Sequence, residues 1–392
     1  MGENRSKKSA VISGIGPVCA IGTGREEFAA ALAAGESGID EISRFDVSGL
    51  PSSLGAEVID LNMEDYLRSR KNYLDRNSEL AFAACELAIR DAGVDIDAID
   101  RQRVGLCMGT QWGNMATLSA FVGALREKGP RFAPPFIFPH AYPNTTSSLL
   151  SIEYGIQGYN ENFADGAVSG AHGVAAAVRA IRSGWADCVL TGGVDGMVYE
   201  IYAGAALTGH LSPGKGNGEE GCRPFSPDGN GAVIGEAGAF LVVESDESCS
   251  ARGGKVLAEI SGEGLAGSIV ESIEIALKNA GAKANEIIGI FASANGSPDI
   301  DQAEAGALRG IFADLMPPLF ALKGLAGECM GAFGPLNIIA AVCSMGERAK
   351  SSGDVEILPL LSAPGWSPDD GKALVVCCDS DGQAASFIIA GR

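Results

Sequence analysis

The chain has 392 residues, 46% of them hydrophobic and 20% charged. This composition excludes general disorder, and the length predicts two lobes or one large α/β unit. Lys and Arg total 29 against 49 Asp and Glu, a net charge of −20 that repels phosphate backbones and argues against nucleic-acid binding. No apolar run reaches the roughly 18–20 residues needed to span a bilayer, so no membrane span is expected.

In chain order, Ser9-Ala10-Val11-Ile12-Ser13-Gly14-Ile15-Gly16 reads as a short buried strand ending in a glycine turn. A short helix follows from Glu26 to Ala34. The spacing of Leu80, Ala83, Ala84, Leu87 and Ala88 predicts a helix over Arg76 to Ala92, with Gly93 as its stop. Val104 to Gly109 reads as a buried strand. Val168 to Arg182 reads as an alanine-rich helix whose small residues imply burial against neighbouring backbone. Asp187 to Thr191 and Ala239 to Val243 read as strands.

The second half repeats this rhythm. A strand at 255–260, a helix at 267–280, a strand from Ile287 to Ala292, helices from Asp301 to Phe312 and Gly331 to Met345, and a strand from Ala373 to Cys378 are predicted. Strands alternating with helices predict mostly parallel sheets covered on both faces. The polar stretch Ser245 to Gly254 reads as the junction between halves spanning 1–250 and 251–392.

Ten cysteines are scattered without a C-x-x-C pair, which predicts buried free thiols in a reducing cytoplasm. Met1 to Lys8 is polar and lacks the apolar stretch of a secretory signal. Met1-Gly2 with Ser6 fits a loose N-myristoylation pattern, although a frayed tail is the simpler reading.

Cys222-Arg223-Pro224-Phe225-Ser226-Pro227-Asp228-Gly229, followed by Ile234-Gly235-Glu236-Ala237-Gly238-Ala239, resembles the R-P-F-D…G-E-G-A-G segment of β-ketoacyl-acyl-carrier-protein synthases. Val11 to Gly16, Ala180-Ile181-Arg182-Ser183-Gly184 through Thr191-Gly192-Gly193-Val194, and Lys323-Gly324-Leu325-Ala326-Gly327 resemble further segments of that family in the same order. The resemblance implies a thiolase-like five-layer α-β-α-β-α fold with two pseudo-twofold-related halves, and dimerisation through the first half.

The family reaction joins an acyl chain to a malonyl unit. It needs a thiolate at a helix N-terminus and two imidazoles. The family's T-A-C-A-T/S-G-A-H aligns with Asp165 to His172, which puts Ala167 at the nucleophile position between Gly166 and Val168. N-A-H-G-T aligns with Ser293 to Ser297, which puts Asn295 at the first histidine. G-H-L-x-G-A aligns with Gly327 to Ala332, which puts Glu328 at the second. Lys323 is retained, while its acidic partner falls on Asn337. The G-F-G-G gate aligns with Asp379-Ser380-Asp381-Gly382 and lacks its phenylalanine. Phe225 is carried over as a further pocket residue. No intact catalytic set, metal site or cofactor is expected.

Only three histidines occur. His172 reads as a packed core residue, and His140 and His210 as surface or interface residues. Cys329, Cys377 and Cys378 are weighed as a relocated nucleophile against buried thiols. Glu328 is weighed as an ion-pair partner of Lys323. Arg68-Ser69-Arg70-Lys71 and Arg101-Gln102-Arg103 are weighed as a carrier-protein dock against a solvated surface.

The resemblance points to a chain-length-factor-like subunit. Such a chain pairs with a homologous active ketosynthase in type II fatty-acid or polyketide synthesis, with acyl carrier protein reached through that partner. Alanine rather than the usual glutamine at position 167 departs from the typical factor. Two alternatives stay open. One is an enzyme of altered chemistry, a non-covalent malonyl decarboxylase or hydrolase using Asn295, Glu328 and Ser169. The other is an acyl-binding or scaffold homodimer.

Overall fold

A computed structural model describes residues 8–214, 219–346 and 371–392. The acylation pattern at Met1, Gly2 and Ser6 lies outside the described residues. Among the described residues the main sheet has eleven strands, ten in one path and the two-residue strand Gly22–Thr23 beside the first of them. The ten are Ala10–Cys19 (β1), Val104–Gly109 (β2), Asn160–Phe163 (β3), Cys188–Asp195 (β4), Ala237–Ser245 (β5), Ala258–Ala266 (β6), Ile287–Phe291 (β7), Leu319–Phe320 (β8), Lys372–Cys378 (β9) and Ala384–Ala390 (β10). The helices are Arg25–Ala34 (α1), Arg76–Ala92 (α2), Met115–Lys128 (α3), Thr145–Tyr154 (α4), Ser169–Arg182 (α5), Tyr199–Leu207 (α6), Asp246–Ala251 (α7), Ile269–Ala280 (α8), Pro298–Phe312 (α9), Lys323–Ala326 (α10) and Phe333–Gly346 (α11).

The strand order β8-β7-β9-β10-β6-β1-β5-β4-β2-β3 is a palindrome in topology. On one side of the centre β1 pairs antiparallel with β5, β5 antiparallel with β4, and β4 and β3 each run parallel to β2. On the other side β6, β10, β9, β7 and β8 repeat that sequence of directions. The halves meet where Val11 pairs with Glu259 and Ile12 with Ala258.

This is the thiolase-like arrangement with a pseudo-twofold between β1 and β6. The sheets are mixed rather than mostly parallel. The reason is that each half returns one strand antiparallel. β10 returns from β9 across the tight turn at 379–383, and β5 returns from β4 after an excursion of about forty residues.

α5 and α11 pack on each other in the central layer, α5 against β2 and β4 and α11 against β5 and β9. α2 covers β1 and β5 from one outer side, and α8 covers β6 and β10 from the other. Three buried clusters correspond to the spaces between these layers. Confinement between two sheets explains the alanine content of α5, where Ala171, Val174, Ala175, Ala177, Val178 and Ile181 are fully buried. A Cβ on Gly170 would lie 2.1 Å from the Gly331 carbonyl, so α5 begins in backbone contact with the loop before α11.

α2 starts on the Asp75 side chain, which accepts from Asn77 N, and stops at left-handed Gly93 as its sequence predicts. The junction stretch carries α7, capped by Ser245. α3, α4, α6, β3 and β10 were not legible as elements.

The segment around Glu236 is tied into the fold at both Gly235 and Glu236. A Cβ on Gly235 would lie 2.2 Å from the Ala326 carbonyl. Glu236, with no exposed surface, accepts from Arg44 at 2.9 Å, from Arg76 Nη2 at 2.7 Å, and from the amides of Val58 at 3.0 Å and Met197 at 3.1 Å. Burial alone raises its pKa, but the Arg76 guanidinium and the other donors outweigh burial and hold it below 4.5. Glu236→Ala would strand Arg76 without its buried partner. Urea unfolding is expected to show a loss of about 3–5 kcal/mol.

Candidate active site

β3 runs into α5 through a turn at Gly166, whose φ is +108°. Ser169, the first residue of the helix, closes the turn. Its Oγ accepts from Asp165 N at 2.9 Å and donates to the Gly166 carbonyl at 2.6 Å. His172 Nδ1 lies 2.7 Å from Asp165 Oδ2 and braces the turn from the next helical level. Ala167 is half-buried just before the helix N-terminus, where backbone amides and the helix dipole favour negative charge. A methyl group there has no lone pair to exploit that position.

Asn295 stands on a loop held from beneath by two carboxylates of α9. Asp301 accepts from the amides of Asn295 at 2.9 Å, Gly296 at 3.2 Å and Phe225 at 2.7 Å. Glu304 accepts from Ser293 N at 2.8 Å. Asn295 Nδ2 in turn donates to Glu328 Oε2 at 3.1 Å.

Glu328 Oε2 also meets Lys323 Nζ at 2.7 Å, and Glu328 Oε1 accepts from Met330 N at 3.2 Å. The ammonium sits 4.1 Å from the centre of the Phe333 ring, and Lys323 is 2% exposed. The Lys323–Glu328 ion pair weighed from the sequence is therefore present. The acid expected at position 337 is replaced by an amide with another task. Asn337 Nδ2 donates to the carbonyls of Phe291, Ala292 and Val376 and ties β7 to β9.

These groups line one cavity of about 500 Å³. Of the residues expected there, Gly166, Ala167, Asn295, Lys323, Glu328, Asp379, Ser380 and Asp381 line it. Val168, Phe225, Gly382 and Ser169 do not. Val168 and Ser169 are fully buried in the start of the central layer. Phe225 uses its backbone, at φ +57°, to donate to Asp301. Gly382 supplies left-handed geometry, at φ +90°, to the β9–β10 turn. Asp379 Oδ1 accepts from Asp381 N and Gln383 N, so the turn occupying the gate position is held by its own backbone.

Other wall residues gave no sequence signal. Ile201, Gly204, Ala205 and Thr208 come from α6 and its end, and Trp112 and Met330 form another side. Trp112 Nε1 donates to Met330 Sδ at 3.0 Å. That side hangs on buried Asp195, which accepts from the amides of Gln111, Trp112 and Gly331 and from the Thr110 hydroxyl. Burial pushes the Asp195 carboxyl up to about 6 against those donors.

His210 is exposed, in keeping with its reading as a surface or interface residue. It lies on the cavity rim, with Nδ1 2.7 Å from Thr208 Oγ1. His172 is half-buried rather than a core residue, because its ring leaves the packed face of α5 to reach Asp165. His140 is half-buried and packs edge-on against Tyr73.

The thiols around the cavity are not activated. Burial pushes the thiols of Cys222 and Cys378 up to about 12, and those of Cys329 and Cys377 are raised as well. A reactive thiolate requires the opposite shift. Burial also opposes the charge on Lys323, but the Glu328 carboxylate outweighs it and keeps the ammonium protonated. Among the described residues, no group of three or more His, Cys, Asp or Glu is arranged to hold a metal ion.

Two outcomes follow from this geometry. Glu328→Gln leaves Lys323 as a buried cation without its counter-charge. Denaturant unfolding is expected to show a loss approaching about 3–5 kcal/mol, and Lys323→Met in the same chain to recover part of it. Glu304 is fully buried, and burial raises its carboxyl from 4.5 to about 7. Between those values the folded chain binds more protons than the unfolded chain, so this group's contribution to stability declines as pH rises from 4.5 to about 7. Glu304→Gln is expected to flatten that decline in thermal melts recorded across the range.

Residues 7–248 match the family model for the β-ketoacyl synthase N-terminal domain, and residues 248–350 match the one for the C-terminal domain. The chloroplastic 3-oxoacyl-[acyl-carrier-protein] synthase I of Arabidopsis thaliana is 31% identical over 361 residues, covering 87% of this chain and 76% of that one. The 3-oxoacyl-[acyl-carrier-protein] synthase 2 of Staphylococcus aureus is 28% identical over 355 residues, covering 86% of each. The solved structure of the ishigamide ketosynthase/chain length factor superposes with a TM-score of 0.89 at 26% identity, covering 99% of this chain and 100% of that one. The chain belongs to the β-ketoacyl synthase family of the thiolase superfamily.

Proposed function

We propose that this chain is a non-condensing, chain-length-factor-like partner of an active ketosynthase in type II fatty-acid or polyketide synthesis. One observation carries the reading. The cavity is kept, yet Ala167, Asn295 and Glu328 line it where condensation needs a soft nucleophile and two imidazoles. Glu328 is held by Lys323, Asn295 and the Met330 amide, so it is built into a bonded network. Its carboxylate would also oppose an enolate formed beside it.

A partner role calls for an adhesive surface, and the first half offers one. β3 has an unpaired outer edge among the described strands. The segment at 130–142 exposes Phe132 at 67% and Phe136 at 89%, with Phe138 and Tyr142 beside them. α3 adds exposed Leu118, Val122 and Leu125. Apolar surface of this kind supports docking of another protein. The likeness to the ishigamide ketosynthase/chain length factor supports a ketosynthase as that protein.

The basic clusters are largely engaged. Arg68 pairs with Glu86, Lys71 with Glu153, Arg101 with Asp97 and Arg103 with Asp187. This favours recruitment of the acidic carrier through the partner. Cys19, Cys85, Cys107, Cys188, Cys222, Cys249, Cys329, Cys377 and Cys378 are free, buried thiols, which supports a reducing, cytoplasmic setting. The mirrored strand order supports dividing the chain near residue 250. No helix among the described residues is long and apolar enough to cross a membrane.

A second reading, an acyl-binding homodimer, is favoured by the size of the open cavity alone. Co-expression with a ketosynthase encoded beside it, one carrying intact cysteine and histidines, separates the two. The expected result is a one-to-one complex that elongates a carrier-bound chain, with no elongation by this chain alone. A stable homodimer that refuses the ketosynthase, or condensation by this chain unaided, would contradict the proposal.

A further inference from the structure

The charges around the cavity bear on what it admits. Its walls are apolar, formed by the buried residues Ile201, Leu211, Ala232, Ile234 and Met330. Three further carboxylates stand among its lining residues. Glu200 and Asp381 are exposed, and Asp379 is half-buried beside the turn that carries Ala167. Asp379 Oδ2 lies 3.2 Å from the Cβ position of Gly166, next to where a bound head group would meet Ala167. Glu328 contributes a fourth carboxylate.

Lys323 is the only Lys or Arg among the described lining residues, and its ammonium is bound to Glu328 at 2.7 Å. The remaining basic group is His210 on the rim, already hydrogen-bonded to Thr208. An anionic head entering the cavity would therefore meet several carboxylates and no free fixed cation; the amides at the N-terminus of α5, which favour negative charge, have the Asp379 carboxylate beside them. Such a cleft, lined by one sign of charge between apolar walls, concentrates its field at the mouth. At about 500 Å³ it is within the range that encloses a small amphiphile.

We propose that this acidic rim makes the cavity a charge filter, which admits chains with an apolar body and an uncharged or cationic head and refuses carboxylate-headed units of the malonyl kind. The inference rests on reading the cavity as a retained pocket of a non-condensing subunit. It adds that the anionic extender is turned away before chemistry, which also separates the chain from a malonyl decarboxylase.

Binding of three ligands with the same tail, decylamine, 1-decanol and decanoate, to the full chain tests this by calorimetry near neutral pH and low salt. Decanoate is expected to bind about tenfold or more weakly than decanol, with decylamine at least as tight as decanol. The gap between decanoate and decanol should narrow several-fold in the Glu200→Gln/Asp381→Asn double variant, whose changes are on exposed side chains. It should narrow further when Asp379→Asn is added, and also at about 0.5 M salt, where exposed charges are screened.

Equal binding of decanoate and decanol, a gap that the double variant and salt leave unchanged, or no binding of any of the three would overturn the proposal. Complex formation with a ketosynthase uses none of these ligands, so failure of the filter and failure of the partner reading give different results.

Discussion

The site turns on one buried contact, the ion pair between Lys323 and Glu328. A lysine ammonium with 2% exposure is costly to bury unless a counter-charge and other favourable contacts surround it. Here the Glu328 carboxylate supplies the counter-charge and the Phe333 ring a cation–π contact. Satisfying Lys323 commits Glu328, and Glu328 in turn fixes Asn295 through its amide. Two of the three positions that the proposed function reads as replaced catalytic residues are thereby drawn into a single polar network. The third, Ala167, faces the same cavity with a methyl group. The scaffold around them is intact, from the glycine contact between α5 and the loop before α11 to the carboxylates that hold the Asn295 loop.

The groups that shape the cavity are held independently of the residues at its reactive positions. Ala167 lies on a turn held by Ser169 and Asp165, and Asn295 on a loop held by Asp301 and Glu304. The groups that position the site are thus mostly different residues from those that would react. Removing the reactive groups leaves the positioning groups satisfied, because their partners are backbone amides and one another. The glutamate of the Gly235–Glu236 segment belongs to the positioning class too. It locks Arg44, Arg76, Val58 and Met197 together without touching the cavity.

Much of this was legible in the residues. α2 announced itself by apolar spacing and a terminal glycine, and α5 by its run of small residues; Ala167, Asn295 and Glu328 were singled out by motif, and the fold brings them to one cavity. Other parts carried no local signal. α6 is apolar around most of its circumference, so Tyr199–Leu207 has no amphipathic stripe. β10 is buried on both faces, which removes the alternation that marks a half-exposed strand. β3, three polar residues and Phe163, pairs with one neighbour only. Asp195 reads as an ordinary acid at a strand end, and only the folded chain shows four donors converging on it. His210 reads as a loop histidine, and only the fold, which brings the end of α6 and the β9–β10 turn to one cavity, places it among the lining residues.

A non-condensing role requires that no covalent acyl intermediate forms on this polypeptide. Intact-protein mass spectrometry of the purified chain, after incubation with an excess of acyl-carrier thioester, measures this most directly. The predicted spectrum shows the unmodified mass alone, while a ketosynthase in a parallel reaction gains the acyl group. An acyl adduct that accumulates rapidly on this chain and maps to one of its cysteines would contradict the account.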